Sequence, residues 1–177
     1  MTVCKTSILI QFMTFIICLD PFFNIKYIPA LFQLLSCGEF RQEHQVTREF
    51  IERLGLENQL IGHEGCVNCV QWSDNGELLA SGSDDLHVIV WDPFRGRVVR
   101  SLTTGHGGNI FSVKFMPQSG NNLVATGAAD HKIQLHDMET NKTVQTFKKH
   151  IYRVKRLEVT PSCPNILWSA SEDGTVM

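Results

Sequence analysis

The sequence carries no marked excess of either charge, no apolar run long enough to cross a bilayer and no matched metal-binding cysteine pairs. Each absence removes a class of function. Sixteen basic and eighteen acidic side chains leave a formal net charge of −2, so bulk charge gives no reason to expect direct binding to nucleic acid. The apolar run Ser7–Leu19 falls short of the roughly 18–20 residues that span a membrane. Lys5 followed by that run has the form of a secretory h-region, yet no small-x-small cleavage site follows it. Among the six cysteines, Cys66 and Cys69 make a single C-x-x-C. Residues three apart on a strand point to opposite faces, so this pair is badly placed to share a zinc ion or a disulfide. Cys66, Cys69 and Cys163 read as reduced thiols of a cytosolic or nuclear protein. The G-x-S-x-G elbow, the phosphate-cradling P-loop and H-E-x-x-H are missing too. The expectation is therefore no enzyme, no cofactor and no metal.

What the chain does have is a repeat. Gly62-His63, Asp85 and Trp91-Asp92 recur as Gly105-His106, Asp130 and His136-Asp137, and a third time as Lys149-His150 and Asp173. The histidines are separated by 43 and 44 residues and the aspartates by 45 and 43. A period of roughly 40–45 residues with these markers belongs to a four-stranded propeller blade. In the first repeat VNCVQW (67–72), LLASGS (78–83), HVIVWD (87–92) and VVRSLT (98–103) are rich in branched and aromatic residues, which suits strands. Ser73-Asp74-Asn75-Gly76, Asp84-Asp85 and Pro93-Phe94-Arg95-Gly96 between them are turn chemistry. Such a sheet has two faces to bury and must stack on neighbours of its own kind. The expected fold is all-β: an incomplete propeller over 58–177, with two complete blades at about 63–103 and 106–147 and most of a third at 150–177. Closed propellers have about 4–8 blades, so the chain reads as a fragment or truncated product with an open apolar face and an unpaired strand edge. Asn58–Ile61 falls where a closed ring would place the outer strand of its last blade, and is expected to have no partner.

The repeated polar residues are expected to form a network within each blade: His63, Ser81, Asp85 and Trp91 in the first, His106, Thr126, Asp130 and His136 in the second, and His150, Ser169 and Asp173 in the third. The aspartate accepts from the imidazole, and hydroxyl and indole N–H groups extend the chain, so that buried polar groups are satisfied and the blade turns are fixed. The alternative, that these histidines are metal ligands or catalytic bases, is disfavoured because fixed offsets within strands account for all of them.

The first 38 residues differ from the rest, being rich in Phe, Ile and Leu with only Lys5, Asp20 and Lys26 charged. They are read as a loosely ordered or helical leader foreign to the propeller, and a membrane-tethered propeller using Ser7–Leu19 is the distant alternative. Residues 39–57 are read as a helical approach segment with Thr47 as N-cap, Gly55 as the residue that ends it, and Phe50, Ile51 and Leu54 on one face. The basic run Lys148–Arg156 is expected mainly as a solvated loop and strand start. Within it Lys149, Arg153, Lys155 and Arg156 are the candidate contacts for an acidic partner.

The blocks GHEGCVNCVQW, LLASGSDDLHVIVWDP, TGHGGNIFSVKFMP, TGAADHKIQLHD and RVKRLEVTP with ILWSASEDG resemble the WD-repeat β-propeller family. Within it they are most similar to the WD and tetratricopeptide repeat group and related substrate receptors of cullin-4 ubiquitin ligases. The resemblance covers approximately Glu39 to Met177 and includes TREFIERLGLENQLIGH. It implies a protein-binding scaffold, one surface docking on the ligase's adaptor and another presenting a target, with chromatin and histones among the implied partners and neither nucleic acid nor membrane bound directly. The alternative is a truncated chain without independent activity. Receptors of this kind often carry an arginine two residues after the WD pair to meet the adaptor. Here Phe94 and Glu139 occupy those positions. The group's basic helical segment upstream of the propeller, its later blades and its tetratricopeptide repeats have no counterpart in these 177 residues.

Overall fold

The computed structural model describes residues 25–27, 58–160 and 162–177. Among these residues every regular element is a β-strand. Strands β3 (Val67–Trp72), β4 (Leu79–Ser83), β5 (His87–Asp92) and β6 (Arg97–Thr103) pair antiparallel in chain order as the first blade. The second repeats this with β7 (Ile110–Phe115), β8 (Leu123–Ala128), β9 (Ile133–Asp137) and β10 (Lys142–Phe147). The third contains β11 (Val154–Thr160) paired with β12 (Cys163–Ser171), and an antiparallel bridge from Ala170 to Val176 starts its next strand.

Burial explains the composition of each strand. The middle strands lie between neighbouring sheets, so β4 is buried at every position and β5 at every position but the first. Their small and branched residues suit that double packing. The outer strands β6 and β10 are mostly exposed and carry Arg97, Arg100 and Lys142, charges that discourage pairing with another chain at an edge. Turns close where the sequence places them: the Gly76 amide donates to the Ser73 carbonyl at 2.9 Å, and Gly76 holds φ +72°, a left-handed conformation that glycine adopts without cost.

Blades stack through two shared cores. Ala80, Val88, Val90 and Leu102 of blade 1 pack with Ile110, Val113, Phe115 and Val124 of blade 2. Ala125 and Ile133 of blade 2 pack with Val154 and Leu157 of blade 3. Glycine permits the close approach at both seams. A Cβ on Gly82 would lie 2.7 Å from Ile110 Cγ2, and one on Gly127 2.7 Å from Val154 Cγ1. Each innermost strand also shifts register at the same place, between Val67 and Cys69, Ile110 and Ser112, and Val154 and Arg156. These bulges turn the following side chains out of simple alternation.

The face of blade 1 turned away from blade 2 is buried as well, with Val70, Trp72, Ile89 and Trp91 clustered around Leu60. Leu60 belongs to β2 (Asn58–Leu60), which pairs antiparallel with β1 (Ile25–Tyr27). This corrects two expectations. The strand at 58 does have a partner, and three residues of the leader are extended rather than helical. The physical reason is that a strand flanking a sheet presents unpaired N–H and C=O groups, which a β-prone segment can satisfy. The rest of the leader, including Ser7–Leu19, and the approach helix expected at Thr47–Gly55 lie outside the described residues. On blade 3, Ile166 and Trp168 are 45% and 50% exposed on β12. Trp168 directly precedes the network hydroxyl Ser169, as Ala80 precedes Ser81 and Ala125 precedes Thr126 at the two seams.

Candidate functional site

In blade 1 the loop before β3 supplies His63, the middle of β4 supplies Ser81, the following turn supplies Asp85 and β5 supplies Trp91. His63 Nδ1 lies 2.8 Å from Asp85 Oδ2 and its Nε2 2.7 Å from Ser81 Oγ, and the Trp91 indole N–H donates to the same hydroxyl at 2.8 Å. One proton arrangement satisfies all three contacts: Nδ1–H donates to the carboxylate, the Ser81 hydroxyl donates to Nε2, and the indole donates to Ser81. Burial pulls the His63 pKa below the ordinary value of 6.5, with Asp85 opposing. For Asp85, burial works against ionisation but is outweighed by hydrogen bonds from the His87 amide, from His63 and from the Glu64 amide, so its carboxyl sits below the usual carboxylate value.

The connectivity Asp–His–Ser is that of a nucleophilic triad, but the location is not. Ser81 and Thr126 are 0% exposed and Ser169 4%, so no substrate reaches these hydroxyls. Both nitrogens of each network histidine are engaged inside the blade. The arrangement fixes loops to strands rather than offering a ligand site.

Blade 2 places His106 Nδ1 2.9 Å from Asp130 Oδ1 and Nε2 2.7 Å from Thr126 Oγ1. His136 takes the indole's position. Its Nε2 lies 2.8 Å from Thr126 Oγ1 and its Nδ1 3.1 Å from Thr143 Oγ1. A neutral imidazole with its proton on Nε2 serves as the donor that Trp91 provides in blade 1. Burial, and next the charge of His106, push its pKa down to about 4. In blade 3 His150 lies 2.7 Å from Asp173 Oδ2 and 2.8 Å from Ser169 Oγ. Hydrogen bonding by the Thr175 hydroxyl, more than any other contact, holds the Asp173 carboxyl far below its ordinary value.

A second polar row, which sequence reasoning missed, runs across the innermost strands. Lys114 of β7 is 7% exposed, and its ammonium donates to Gln71 of β3 at 2.9 Å and to Glu158 of β11 at 3.1 Å. One side chain thereby ties three blades together. The signal was available: Gln71, Lys114 and Glu158 each follow a network histidine by 8 residues. Because the letters differ, no repeated motif marks them. Glu158→Ala leaves the buried ammonium without its counter-ion, and we expect a loss of about 1–2 kcal/mol, reduced from the fully buried case because Glu158 is half exposed. Lys114→Met, which removes the charge and keeps the stem, is expected to be close to neutral in chemical denaturation. Equal losses in both variants would show that the ion pair is not what matters.

The basic candidates are all exposed: Lys149 and Arg153 in the loop before β11, Lys155 and Arg156 at its start. Lys155 Nζ sits 3.9 Å over the Phe111 ring and 3.5 Å from Glu172. Of the cysteines, Cys66 is exposed before β3. Cys69 packs against the seam between blades 1 and 2, where burial pushes its thiol up to about 12. Two residues after Trp91-Asp92 the Phe94 ring lies 6.4 Å from that of Trp72. Two residues after His136-Asp137 Glu139 is exposed, while Met138 before it is buried in the seam core. No helix among the described residues is long and apolar enough to cross a membrane.

Comparison with known proteins fits this architecture. A family model described as WD domain, G-beta repeat matches residues 55–92 and 96–137. WD and tetratricopeptide repeats protein 1 of Homo sapiens is 52% identical over 137 residues, covering 77% of this chain and 20% of that protein. Protein ALTERED SEED GERMINATION 2 of Arabidopsis thaliana is 40% identical over 148 residues, covering 78% and 20%. DDB1- and CUL4-associated factor 6 of Homo sapiens is 37% identical over 143 residues, covering 78% and 16%. The chain thus spans a fifth or less of the length of these relatives.

Proposed function

Because this chain belongs to the WD-repeat family, we propose that it is the propeller part of a substrate receptor for a cullin-4 ubiquitin ligase, acting by binding and not by catalysis. The coarser part of this reading is that it is a protein-interaction scaffold whose partners are proteins. The observation that carries the finer part is its similarity, over 78% of its length, to DDB1- and CUL4-associated factor 6, a protein whose name states its association with that machinery. The geometry is consistent with it. The network histidines, hydroxyls and aspartates of the three blades are engaged with one another, which leaves loops and exposed strand starts as the surfaces for recognition. Such a receptor works in the cytosol or the nucleus.

The test is direct association. The tagged 177-residue chain, shown by circular dichroism to unfold cooperatively, is mixed with purified human DDB1 and resolved by size exclusion. Co-elution is the expected result. A chain that unfolds cooperatively and leaves DDB1 in its free position overturns the ligase reading and leaves a scaffold of another kind.

A further inference from the structure

Blade 3 departs from its neighbours at one loop, and we propose that this loop end is a docking surface for an acidic peptide segment carrying apolar side chains. The proposal deepens the scaffold reading above and rests on it. In blades 1 and 2 the residues after the network histidine are Glu64-Gly65-Cys66 and Gly107-Gly108-Asn109. The middle glycine is pressed against the following turn: a Cβ would lie 2.6 Å from the Asp85 nitrogen at Gly65 and 3.0 Å from the Ala129 Cβ at Gly108. In blade 3 the same positions hold Ile151-Tyr152-Arg153. The blade network is made with small residues there, so it does not require these large ones.

Ile151 is 71% and Tyr152 56% exposed, yet the loop is tightly held. The Ile151 amide donates to Asp173 at 3.2 Å, and the Ser171 hydroxyl lies 3.1 Å from the Tyr152 carbonyl and 2.9 Å from that of Arg153. The Tyr152 ring meets His131 of blade 2 at 6.4 Å between centroids. His131 itself holds φ +66°, a left-handed conformation. Apolar side chains fixed in water on an ordered loop give an occupant contact area with little ordering left to do.

Charge selects the occupant. Lys149 and Arg153 flank the pair, and no carboxylate among the described residues forms an ion pair with either. The matching loop of blade 1 holds Gly62 and Cys66 at the two basic positions and Glu64 between them. The turn acid is common to both blades, Asp84 in the first and Glu172 in the third, where Glu172 pairs with Lys155 at 3.5 Å. The loop of blade 3 therefore attracts an acidic segment more strongly than that of blade 1 does. A polynucleotide is the weaker candidate, since two flanking cations in a chain of net charge −2 make a poor electrostatic footprint.

Fluorescence polarisation with the full chain tests this. The probe is a short labelled peptide of aspartates and glutamates interrupted by leucines. Controls replace the acids by lysines or the leucines by serines, and oligo-dT stands in for nucleic acid. We expect the acidic–apolar peptide to bind best. Lys149→Glu with Arg153→Glu should weaken it about tenfold at low salt and less at physiological salt. Tyr152→Gly, the residue the other blades use, should weaken it several-fold at both. The milder pair Lys149→Gln and Arg153→Gln gives the same direction in a fold-neutral form. The proposal is overturned if the lysine peptide or oligo-dT binds as well as the acidic one, or if both charge pairs bind like the parent chain. DDB1 co-elution is read in parallel: adaptor binding without peptide binding sinks this proposal alone, and the converse sinks the ligase reading alone.

Discussion

Trp91→Ala is expected to lower stability by about 3–5 kcal/mol, a large part of the roughly 5–15 kcal/mol that holds a domain of this size together. Trp91 is 1% exposed and sits in the cluster formed with Leu60, Val70, Trp72, Leu79 and Ile89. Its outer ring edge closes over Gly62, where a Cβ would come within 2.8 Å of Cη2. Truncation removes this packing and leaves a cavity that a sheet pinned on its other face closes only in part. It also removes the indole donor to Ser81, although that hydroxyl keeps His63 as a partner, so the polar loss is the smaller share. Trp91→His separates the two contributions. It supplies a ring N–H, as His136 does in blade 2, without the volume, and is expected to recover less than half of the loss. Urea denaturation followed by far-UV circular dichroism gives both values, which avoids reading the fluorescence of a chain that has lost a fluorophore. A loss below about 1 kcal/mol for Trp91→Ala would mean that the face around Leu60 is not a core.

The blades are legible in the sequence because each repeats residues whose roles are fixed by distance along the chain. His63, Ser81 and Asp85 recur as His106, Thr126 and Asp130 and as His150, Ser169 and Asp173, and in all three sets the structure brings them within hydrogen-bond reach. What escapes the sequence is chemistry spread across blades. Gln71, Lys114 and Glu158 share an offset but no letter, and only stacking turns them into one row. Tyr152 against His131 is a contact between a loop and the turn of the preceding blade, set by rotation between sheets that no local pattern encodes. The pairing of Asn58–Leu60 with Ile25–Tyr27 joins segments 31 or more residues apart, of which the earlier carries none of the repeat's markers. Local rules recover the blade, and the surfaces that distinguish one propeller from another lie in what the blades do to each other.

Acid is expected to destabilise the chain between pH 6.5 and about 4, and His136 is expected to be the main cause. Its ordinary pKa is 6.5, and in the folded protein burial and next the charge of His106 push it down to about 4. Within that window the unfolded chain binds a proton at this position and the folded chain does not. Stability therefore rises with pH across the window and falls as acid is added, by roughly 3 kcal/mol in all, an order-of-magnitude figure. Below the window both states are protonated and the penalty stops growing. His63 and His106 shift in the same direction, again mainly through burial, and add to the slope. The network carboxylates Asp85, Asp130 and Asp173 have lowered values. Their contribution is present above the ordinary carboxylate range and is lost only at lower pH, which leaves the window to the histidines. His136→Gln removes the titrating ring and keeps an amide able to donate to Thr126, and His136→Trp restores the group that blade 1 uses. Urea midpoints at pH 7, pH 5.5 and pH 4.5 decide the matter. The parent should lose most of this stability across the series, and both variants should give a flatter profile even if His136→Trp starts lower because of crowding. Parallel profiles for parent and variants would remove His136 as the acid-sensitive group and transfer the role to His63 and His106.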